Sequence, residues 1–353
     1  MTAPDSGSAE PFVLSVEDTQ GLRNYLIRRG HAREGEALTA AKAGEGNMNC
    51  VVRVRLLNRS LILKQARPWV EKYPSISAPV ERAASEARFY RLAAKDLVLA
   101  KMMPRLLDYD ERSALLVLED LAPAATLADC YEGTTSLEKA QLQTLARYTS
   151  TLHRMAIPLH ERHFFRNEAM RKLNHEHIFD VPLRTDGALS EMLERITPGL
   201  DSAGEKFRHD REFCETVGAL GCRYLEYEGA SLIHGDLFPG SLLRIGSGEL
   251  RIIDPEFSFC GDPEFDIGVF YAHLLFSCPE DDTASYWLQV AFEDTPRSES
   301  LALQYAGVEI MRRILGVAQL PISLPLEAKR DLLERSREFV LSAKPPEGTA
   351  ASM

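Results

Sequence analysis

The sequence of 353 residues has no long apolar run, no block of basic residues and no closely spaced pair of cysteines. Because no run reaches about 18 apolar residues, we expect no membrane span. Acids outnumber bases and the net charge is −11, which argues against nucleic acid and anionic membranes as partners. The six cysteines lack CxxC and zinc-ligand spacing, and the N-terminus lacks a signal-peptide pattern. We therefore expect a cytoplasmic protein with reduced thiols and a small-molecule partner.

The order of the predicted elements divides the chain into two parts. Residues 16–121 predict a five-stranded sheet plus helix, and residues 122–342 predict helices, one of them over 205–228, with one hairpin as their only strands. The ends, 1–15 and 343–353, are rich in Pro, Gly, Ser and Ala and are predicted to be disordered. The pattern predicts an α+β, bilobal, protein-kinase-like fold. Its small N-lobe is β-rich, and its larger, mostly helical C-lobe carries a catalytic β-hairpin.

The hairpin is the most informative segment of the chain. Two apolar strands, SLLRI and ELRII, flank a Gly-Ser-Gly turn, and this spacing places Ser241 opposite Ile253. The start of one strand then lies beside the end of the other. Polar side chains are predicted to converge at this end of the hairpin: Asp236, Ser241, Asp254 and Glu256.

These side chains suit metal-dependent phosphoryl transfer. Asp236 follows an apolar strand and a glycine, where a carboxylate can accept a hydrogen bond from a substrate hydroxyl. Asp254 and Glu256 lie two residues apart on a predicted strand, so they share a face and can offer oxygen ligands to Mg²⁺. Ser241 can add an oxygen, directly or through water. Asp266 is expected to accept hydrogen bonds from the catalytic loop.

A glycine-containing turn early in the chain is a candidate phosphate cover. Its glycines allow close approach of the backbone, and its N–H groups can face an anion. By itself the segment fits a plain hairpin turn better than a phosphate cover. The candidate residues of this turn are Gly44, Gly46, Asn47 and Asn49.

Two further segments of the N-terminal part offer groups for a nucleotide. Lys64 interrupts an apolar strand, and a helix with Glu86 follows, so an ion pair can direct the lysine to phosphate oxygens. Glu81 is the alternative partner, and we favour Glu86 because it lies deeper in the helix. Backbone groups of Glu119 and Leu121 are candidates for an adenine edge, although a simple strand end fits them too.

Adjacent arginines, Arg312 and Arg313, lie on a predicted helix. They point about 100° apart, so at most one faces a narrow pocket unless the helix ends there. Solvated or ion-paired arginines are the simpler interpretation of the residues alone.

Over about residues 16–342 the chain resembles the aminoglycoside-phosphotransferase and choline-kinase superfamily. Within it, the chain is most similar to the methylthioribose kinases, and Ser241, where many kinases keep Asn, also resembles them. The segments that carry this resemblance are GNMN at 46–49, SLILKQA at 60–66, DPEF at 254–257 and RRILGVA at 312–318.

The resemblance implies ATP and Mg²⁺ as cofactors. It implies Asp236 as catalytic base and the two hairpin acids, Asp254 and Glu256, on the metals. It places Arg312 and Arg313 near the sugar or the transferred phosphate. The implied reaction moves the γ-phosphoryl group of ATP to the anomeric hydroxyl of 5-methylthioribose, in methionine salvage. The resemblance also implies a homodimer.

One departure from that family keeps the acceptor open. Phe238-Pro239 stands where the family usually has His-Thr, beside the catalytic Asp. One alternative is a related kinase for another sugar, an amino alcohol or an aminoglycoside. The arginine pair argues against an aminoglycoside, because a cationic substrate favours clustered acids. The other alternative is a nucleotide-binding pseudokinase that acts through partners, but every expected catalytic position is occupied.

Overall fold

The computed structural model describes these parts of the chain: residues 10–44, 48–132, 137–246, 248–277, 282–293 and 297–341. The chain divides into two compact units. Unit 1 comprises Met1–Lys95 and Pro104–Ala122, and unit 2 comprises Asp96–Met103 and Pro123–Met353. Among the described residues, no helix has the length and apolar character needed to cross a membrane.

Unit 1 combines a sheet with helices. Its helices are α1 (Thr19–Arg28) and α2 (Arg82–Ala93). Its strands are β1 (Thr39–Lys42), β2 (Cys50–Arg55), β3 (Ser60–Gln65), β4 (Trp69–Val70), β5 (Tyr73–Ser77), β6 (Leu106–Asp110) and β7 (Leu115–Glu119). Within the described residues, the sheet is five-stranded and antiparallel in the order β1-β2-β3-β7-β6, while β4 and β5 form a separate ribbon.

The core of unit 1 follows from the two periodicities of its elements. In β2 the alternate residues Val52 and Val54 are fully buried, as the period of two in a strand requires. In α1 the fully buried residues Leu22 and Leu26 lie four apart on one face. The Asp18 carboxylate caps α1 by accepting a hydrogen bond from the backbone of its first turn. The buried apolar residues of α1, β2 and β3 belong to one cluster.

The start of the described chain differs from the predicted disorder of residues 1–15. The Phe12 ring stacks on Tyr25 with 4.3 Å between centroids, and Leu14 is fully buried. The Gln65 amide fixes this segment, since it accepts from Leu14 N at 2.8 Å and donates to Phe12 O at 2.7 Å. Isolated apolar residues in a Pro- and Ser-rich segment carry no periodic signal, so their packing cannot be read from the sequence.

Unit 2 is mostly helical. Its helices are α3 (Leu97–Lys101), α4 (Lys139–Arg154), α5 (Glu168–His175), α6 (Gly187–Ile196), α7 (Leu200–Arg208), α8 (Arg211–Glu226), α9 (Pro263–Ser277), α10 (Thr283–Phe292), α11 (Glu299–Leu315) and α12 (Leu326–Leu341). Its strands are β8 (Ala124–Thr126), β9 (Ser231–Ile233), β10 (Leu242–Ile245), β11 (Glu249–Ile252) and β12 (Phe259–Gly261). Short 3₁₀ turns include Leu127–Glu132, Pro239–Ser241 and Pro255–Phe257. With the sheet of unit 1, this confirms the predicted α+β class.

The predicted hairpin register is confirmed by β10 and β11. Leu242 pairs with Ile252, and Ile253 N donates to Ser241 O at 3.0 Å. The prediction that the hairpin holds the only strands of this part of the chain is wrong. β8 pairs with β10, and β9 pairs with β12. These three-residue strands are too short to produce a recognisable alternation in the sequence.

The predicted helix over 205–228 is also wrong, because the chain turns between α7 and α8. Asp210 has extended backbone angles, and its carboxylate accepts a hydrogen bond from Phe213 N at 3.1 Å. An aspartate in this position satisfies a free N–H of a new first turn, so it starts a second helix.

Residues 96–103, predicted within the N-lobe, are grouped with unit 2. Met102 O accepts a hydrogen bond of 2.7 Å from Ile252 N, next to β11. Met103 Sδ lies 3.7 Å from the hydroxyl of Tyr148 in α4. Helix α3 thus belongs to unit 2 through contacts that a sequence does not display.

Candidate functional site

The loop after β9 is held by the first turn of α9. Asp266 accepts hydrogen bonds from the backbone N–H groups of His234, at 2.8 Å, and Gly235, at 2.9 Å. Gly235 has φ of 79°, and a β-carbon there would lie 2.2 Å from Phe257 O. Only glycine fits this close approach with a left-handed backbone. The next residue, Asp236, is therefore presented by a tightly fixed loop.

Asp266 keeps its negative charge in a fully buried position. Burial by itself raises its pKa, but the hydrogen bonds from His153 and the loop outweigh this and lower the pKa below the usual carboxyl range. His153 Nε2 lies 2.8 Å from Asp266 Oδ2. Burial lowers the pKa of His153, so its ring is neutral and donates from Nε2.

The carboxylate of Asp236 has an unfilled acceptor atom. Its side chain is 22% exposed, but its Oδ1 atom is buried and has no hydrogen-bond partner among the residues that the structure describes. Arg313 Nη2 lies 3.9 Å from Oδ1, an ion-pair distance beyond hydrogen bonding. Burial raises the pKa of Asp236, while the charges of Arg312 and Arg313 act in the opposite direction. Such an oxygen can accept a hydrogen bond from a hydroxyl of a bound molecule.

Both predicted arginines are buried and ion-paired, and they share one partner. Arg313 Nε lies 2.6 Å from Glu309 Oε1, and Arg312 Nη1 lies 3.1 Å from Glu309 Oε2. Each arginine residue is 8% exposed. Although adjacent arginines diverge on a helix, both reach back to an acid three and four residues earlier.

Sequence reasoning did not identify Glu309, His273 or Tyr131. His273 Nε2 lies 3.0 Å from Glu309 Oε1, and the Tyr131 hydroxyl is hydrogen-bonded to the other ring nitrogen. The E-x-x-R-R spacing in α11 was a usable signal for Glu309. His273 and Tyr131 come from α9 and from the 3₁₀ turn after β8, and nothing in the sequence connects them to this carboxylate.

The two predicted metal ligands after β11 are placed differently than expected. β11 ends at Ile252, Asp254 has a left-handed backbone with φ of 62°, and Glu256 lies in the 3₁₀ turn Pro255–Phe257. The prediction that both acids share a strand face is therefore wrong. Pro255 has no N–H to donate to a ladder, so the strand cannot continue through it.

The donors of this segment are of the kind that a hard cation requires. Carboxylate oxygens of Asp254 and Glu256 and the hydroxyl of Ser241 suit Mg²⁺. Ser241 Oγ donates to Asp236 O at 2.7 Å and keeps its lone pairs for a further contact. No three acidic, histidine or cysteine side chains form a metal cluster within the described ranges. Mg²⁺ commonly completes its coordination with water and phosphate oxygens.

In unit 1, Lys64 and Glu86 form a buried ion pair. Lys64 Nζ lies 2.9 Å from Glu86 Oε1 and 2.8 Å from Oε2, and the two residues are 3% and 1% exposed. The alternative partner, Glu81, is exposed at the start of α2. Glu86, the acid that lies deeper in the helix, is therefore the partner of Lys64.

The candidate phosphate turn is described only in part. Gly44 has φ of 73°, a conformation that favours glycine, while Gly46 and Asn47 lie outside the described residues. Asn49 is buried, and its Oδ1 accepts from Arg82 Nε at 2.9 Å. The side chain of Asn49 thereby ties the end of the turn to α2.

The segment proposed for an adenine edge ends β7. Glu119 N already donates to Arg105 O at 2.9 Å, and the Glu119 carboxylate accepts from Arg105 Nε at 3.2 Å. Leu121 follows the strand and is half-buried. The N–H of Glu119 therefore already donates a hydrogen bond within this protein, to Arg105 O.

The chain is similar to proteins of known function. A family model described as "Phosphotransferase enzyme family" matches residues 39–299. A methylthioribose kinase of Exiguobacterium sibiricum is 28% identical over 348 residues, which cover 86% of each chain. A methylthioribose kinase of Geobacillus sp. is 27% identical over 374 residues, which cover 93% of this chain and 90% of that protein.

A solved structure confirms the kinase-like fold. The crystal structure of a spectinomycin phosphotransferase in complex with ADP and spectinomycin superposes with a TM-score of 0.56. It covers 93% of this chain and 94% of that chain, at 14% sequence identity. Because the family model spans most of both units, the chain belongs to the phosphotransferase enzyme family.

Proposed function

We propose that this chain transfers the γ-phosphoryl group of ATP to the anomeric hydroxyl of 5-methylthioribose, with Mg²⁺ as cofactor. The observation that carries the proposal is the unfilled Oδ1 of Asp236 beside Arg313, at 3.9 Å, in a fixed loop. Two relatives that cover nearly the whole chain are methylthioribose kinases, which supports the choice of sugar.

Asp236 is the group proposed to act on the acceptor. Its Oδ1 accepts the hydrogen bond of the attacking hydroxyl and takes the proton as the bond to phosphorus forms. A loose transition state spreads negative charge over the phosphoryl oxygens, so most of the rate enhancement comes from positioning and fixed charge. Arg312 and Arg313 supply positive charge and hydrogen-bond donors on the acceptor side.

The nucleotide and metal are assigned to the remaining predicted residues. Asp254, Glu256 and Ser241 hold Mg²⁺, which when bound neutralises charge on the β- and γ-phosphates. Lys64, whose side chain is oriented by its ion pair with Glu86, donates to phosphate oxygens. The turn that contains Gly44, Gly46, Asn47 and Asn49 covers the phosphates, and the chain from Glu119 to Leu121 meets the adenine.

The charge of the acceptor side favours a neutral, hydroxyl-rich molecule. A cationic choline or aminoglycoside would meet two fixed guanidinium groups, which are paired with Glu309 and, for Arg313, with Asp236. The Phe238 ring lies 5.2 Å from the Arg313 guanidinium carbon, so an aromatic face borders this region. A thioether-bearing sugar matches both the donors and the apolar ring.

A coupled ADP-release screen with methylthioribose, ribose, homoserine, choline and kanamycin tests the proposal. We expect methylthioribose to give the highest kcat/KM, with ADP release slowed by about 100-fold or more in Asp236→Asn. Preference for another acceptor would overturn the choice of sugar. ADP release by none of the five, with ATP still bound, would favour the pseudokinase alternative.

A further inference from the structure

The carboxylate of Glu309 is the centre of a buried network within unit 2. It accepts hydrogen bonds from two arginines of its own helix, α11, and from His273 of α9. Glu309 is 1% exposed, so a bound sugar cannot reach it. Its charge is retained: burial raises its pKa, but the two guanidinium groups and His273 lower it well below the ordinary range.

The protonation of the network can be assigned from its geometry. An ionised carboxylate only accepts, so His273 must donate to Glu309 from Nε2. Burial lowers the pKa of His273 to about 4, and the neutral ring therefore accepts at Nδ1. Tyr131 is the partner at Nδ1 and must donate its hydroxyl proton. The hydrogen bonds run in one direction, from Tyr131 through His273 to Glu309.

This network fixes the direction in which Arg313 points. Glu309 Oε1 accepts a hydrogen bond from Arg313 Nε, and Ala318 O accepts one from Arg313 Nη1 at 3.2 Å. The Phe238 ring covers the guanidinium at 5.2 Å and also lies 5.2 Å from the His273 ring. The remaining nitrogen, Nη2, is the one nearest to Asp236.

Arg312 is held less completely. Glu309 Oε2 accepts from its Nη1 at 3.1 Å. Its Nε is buried and has no hydrogen-bond partner in the part of the chain that the structure describes. One donor of this arginine is thus unsatisfied among the described residues.

We propose that Glu309 is a positioning residue for phosphoryl transfer, because its carboxylate fixes Arg312 and Arg313 beside Asp236. Glu309 is itself oriented by Tyr131 through His273. It acts through the arginines and contacts neither substrate nor nucleotide. The inference rests on the proposed phosphotransfer, but it does not depend on which sugar is the acceptor.

The test compares Glu309→Gln with wild type, using the acceptor that wild type turns over best in the five-compound screen. A glutamine of the same size offers one oxygen and one N–H₂ group, which cannot accept from Arg312, Arg313 and His273 together. We expect kcat/KM for the acceptor to fall by about 10- to 100-fold, while the KM for ATP changes by less than about twofold. Tyr131→Phe should cause a loss of about threefold in the same parameter, because it removes one neutral hydrogen bond.

Asp262→Asn is the matched control for general loss of stability. Asp262 is also a buried carboxylate, paired with Arg223 at 2.7 Å and 2.8 Å and with the Tyr305 hydroxyl at 2.8 Å. We expect it to lower the thermal midpoint but to leave kcat/KM for the acceptor within about twofold of wild type.

An unchanged acceptor kcat/KM in folded Glu309→Gln, or an equal loss in Asp262→Asn, would overturn the positioning role. If Glu309→Gln does not fold, Tyr131→Phe becomes the deciding variant. An acceptor kcat/KM in Tyr131→Phe equal to that of wild type would overturn the role. A wild type that phosphorylates none of the five acceptors would instead contradict the proposed function itself.

Discussion

Asp236 combines two features at the scale of a single residue. Its backbone is fixed through Asp266 and Gly235, while one of its carboxylate oxygens is buried without a hydrogen-bond partner among the described residues. A buried, unfilled acceptor is costly to the folded protein, and a hydrogen-bond donor on a ligand would remove that cost.

Replacement of Asp236 by Asn separates chemistry from nucleotide binding. The amide keeps the size of the side chain but cannot take a proton, so we expect kcat to fall by about 100-fold or more. ATP affinity, measured by titration calorimetry, should stay close to wild type. Turnover within a few-fold of wild type would remove Asp236 from the role of base.

The pH dependence of kcat/KM should report the Asp236 carboxyl. Because burial raises its pKa, we expect the acidic limb to lie above the ordinary value of about 4, with activity lost as pH falls through it. Arg313 lowers this pKa, so Arg313→Gln should move the limb to still higher pH. Arg211→Gln, at an exposed position in α8, is the control and should leave the acidic limb where it is in wild type. An acidic limb that does not move in Arg313→Gln would contradict the assignment of this limb to Asp236.

Residues of the site differ in how far sequence could predict them. Asp236, Asp266 and the pair Lys64–Glu86 lie in sequence patterns that were sufficient to single them out as candidates. His273 is different, because it becomes a partner of Glu309 only when α9 packs against α11. A lone polar residue in an apolar helix does not reveal which buried group it meets.

At the scale of elements, α9 and α11 form the centre of unit 2. Every residue of α9 from Glu264 to Phe276 is buried, as expected of a helix enclosed on all sides. A β-carbon on Gly268 would lie 2.1 Å from Ala302 O in α11, so glycine permits a close helix contact. This contact sets the distance between the helix that holds the catalytic loop and the helix that carries the arginines.

Gly268→Ala tests this packing. The added methyl group collides with backbone, so we expect a loss of about 1–3 kcal/mol in the free energy of unfolding, measured with urea. Gly218→Ala is the matched control, since that helical position is exposed and a β-carbon there meets nothing within 4 Å. The control should gain up to about 1 kcal/mol. Equal stabilities of the two variants would contradict the proposed close packing.

Element prediction succeeded where one local signal dominates. The hairpin register follows from its apolar strands and glycine turn, and β10 and β11 pair as predicted. It failed at Asp210, whose N-cap divides a continuous helical pattern, and at Asp254, where a left-handed backbone precedes Pro255. In both places a single backbone angle overrides the periodicity of its neighbours.

At the scale of the whole molecule, buried neutral histidines make stability depend on pH. The pKa of His273 is about 4 in the folded chain and about 6.5 when unfolded, so the unfolded state binds the proton first. The stability from this group is present above pH 6.5 and is lost as pH falls towards 4. We expect a decrease of about 2 kcal/mol between pH 7 and pH 5 from His273 alone.

Urea unfolding of wild type and His273→Gln at these two pH values measures that contribution. The variant should be less stable at pH 7, and its free energy of unfolding should fall less between the two pH values. His153→Gln provides a comparison, because His153 is also buried with a lowered pKa. An identical pH dependence in wild type and His273→Gln would contradict the neutral, buried state of His273.

The α+β class could be predicted because the change from strands to helices follows the sequence order. The grouping of residues 96–103 with unit 2 could not be predicted, since it depends on contacts of Met102 and Met103 with β11 and α4.

The central claim is that this chain phosphorylates the anomeric oxygen of methylthioribose with Asp236 as base. Phosphorus-31 NMR of the product formed by wild type, ATP and Mg²⁺ tests it most directly, with Asp236→Asn as the blank. The account predicts a single sugar phosphate whose phosphorus couples to the anomeric proton, and no such signal in the blank. A phosphate on another hydroxyl, or equal product in the blank, would contradict it.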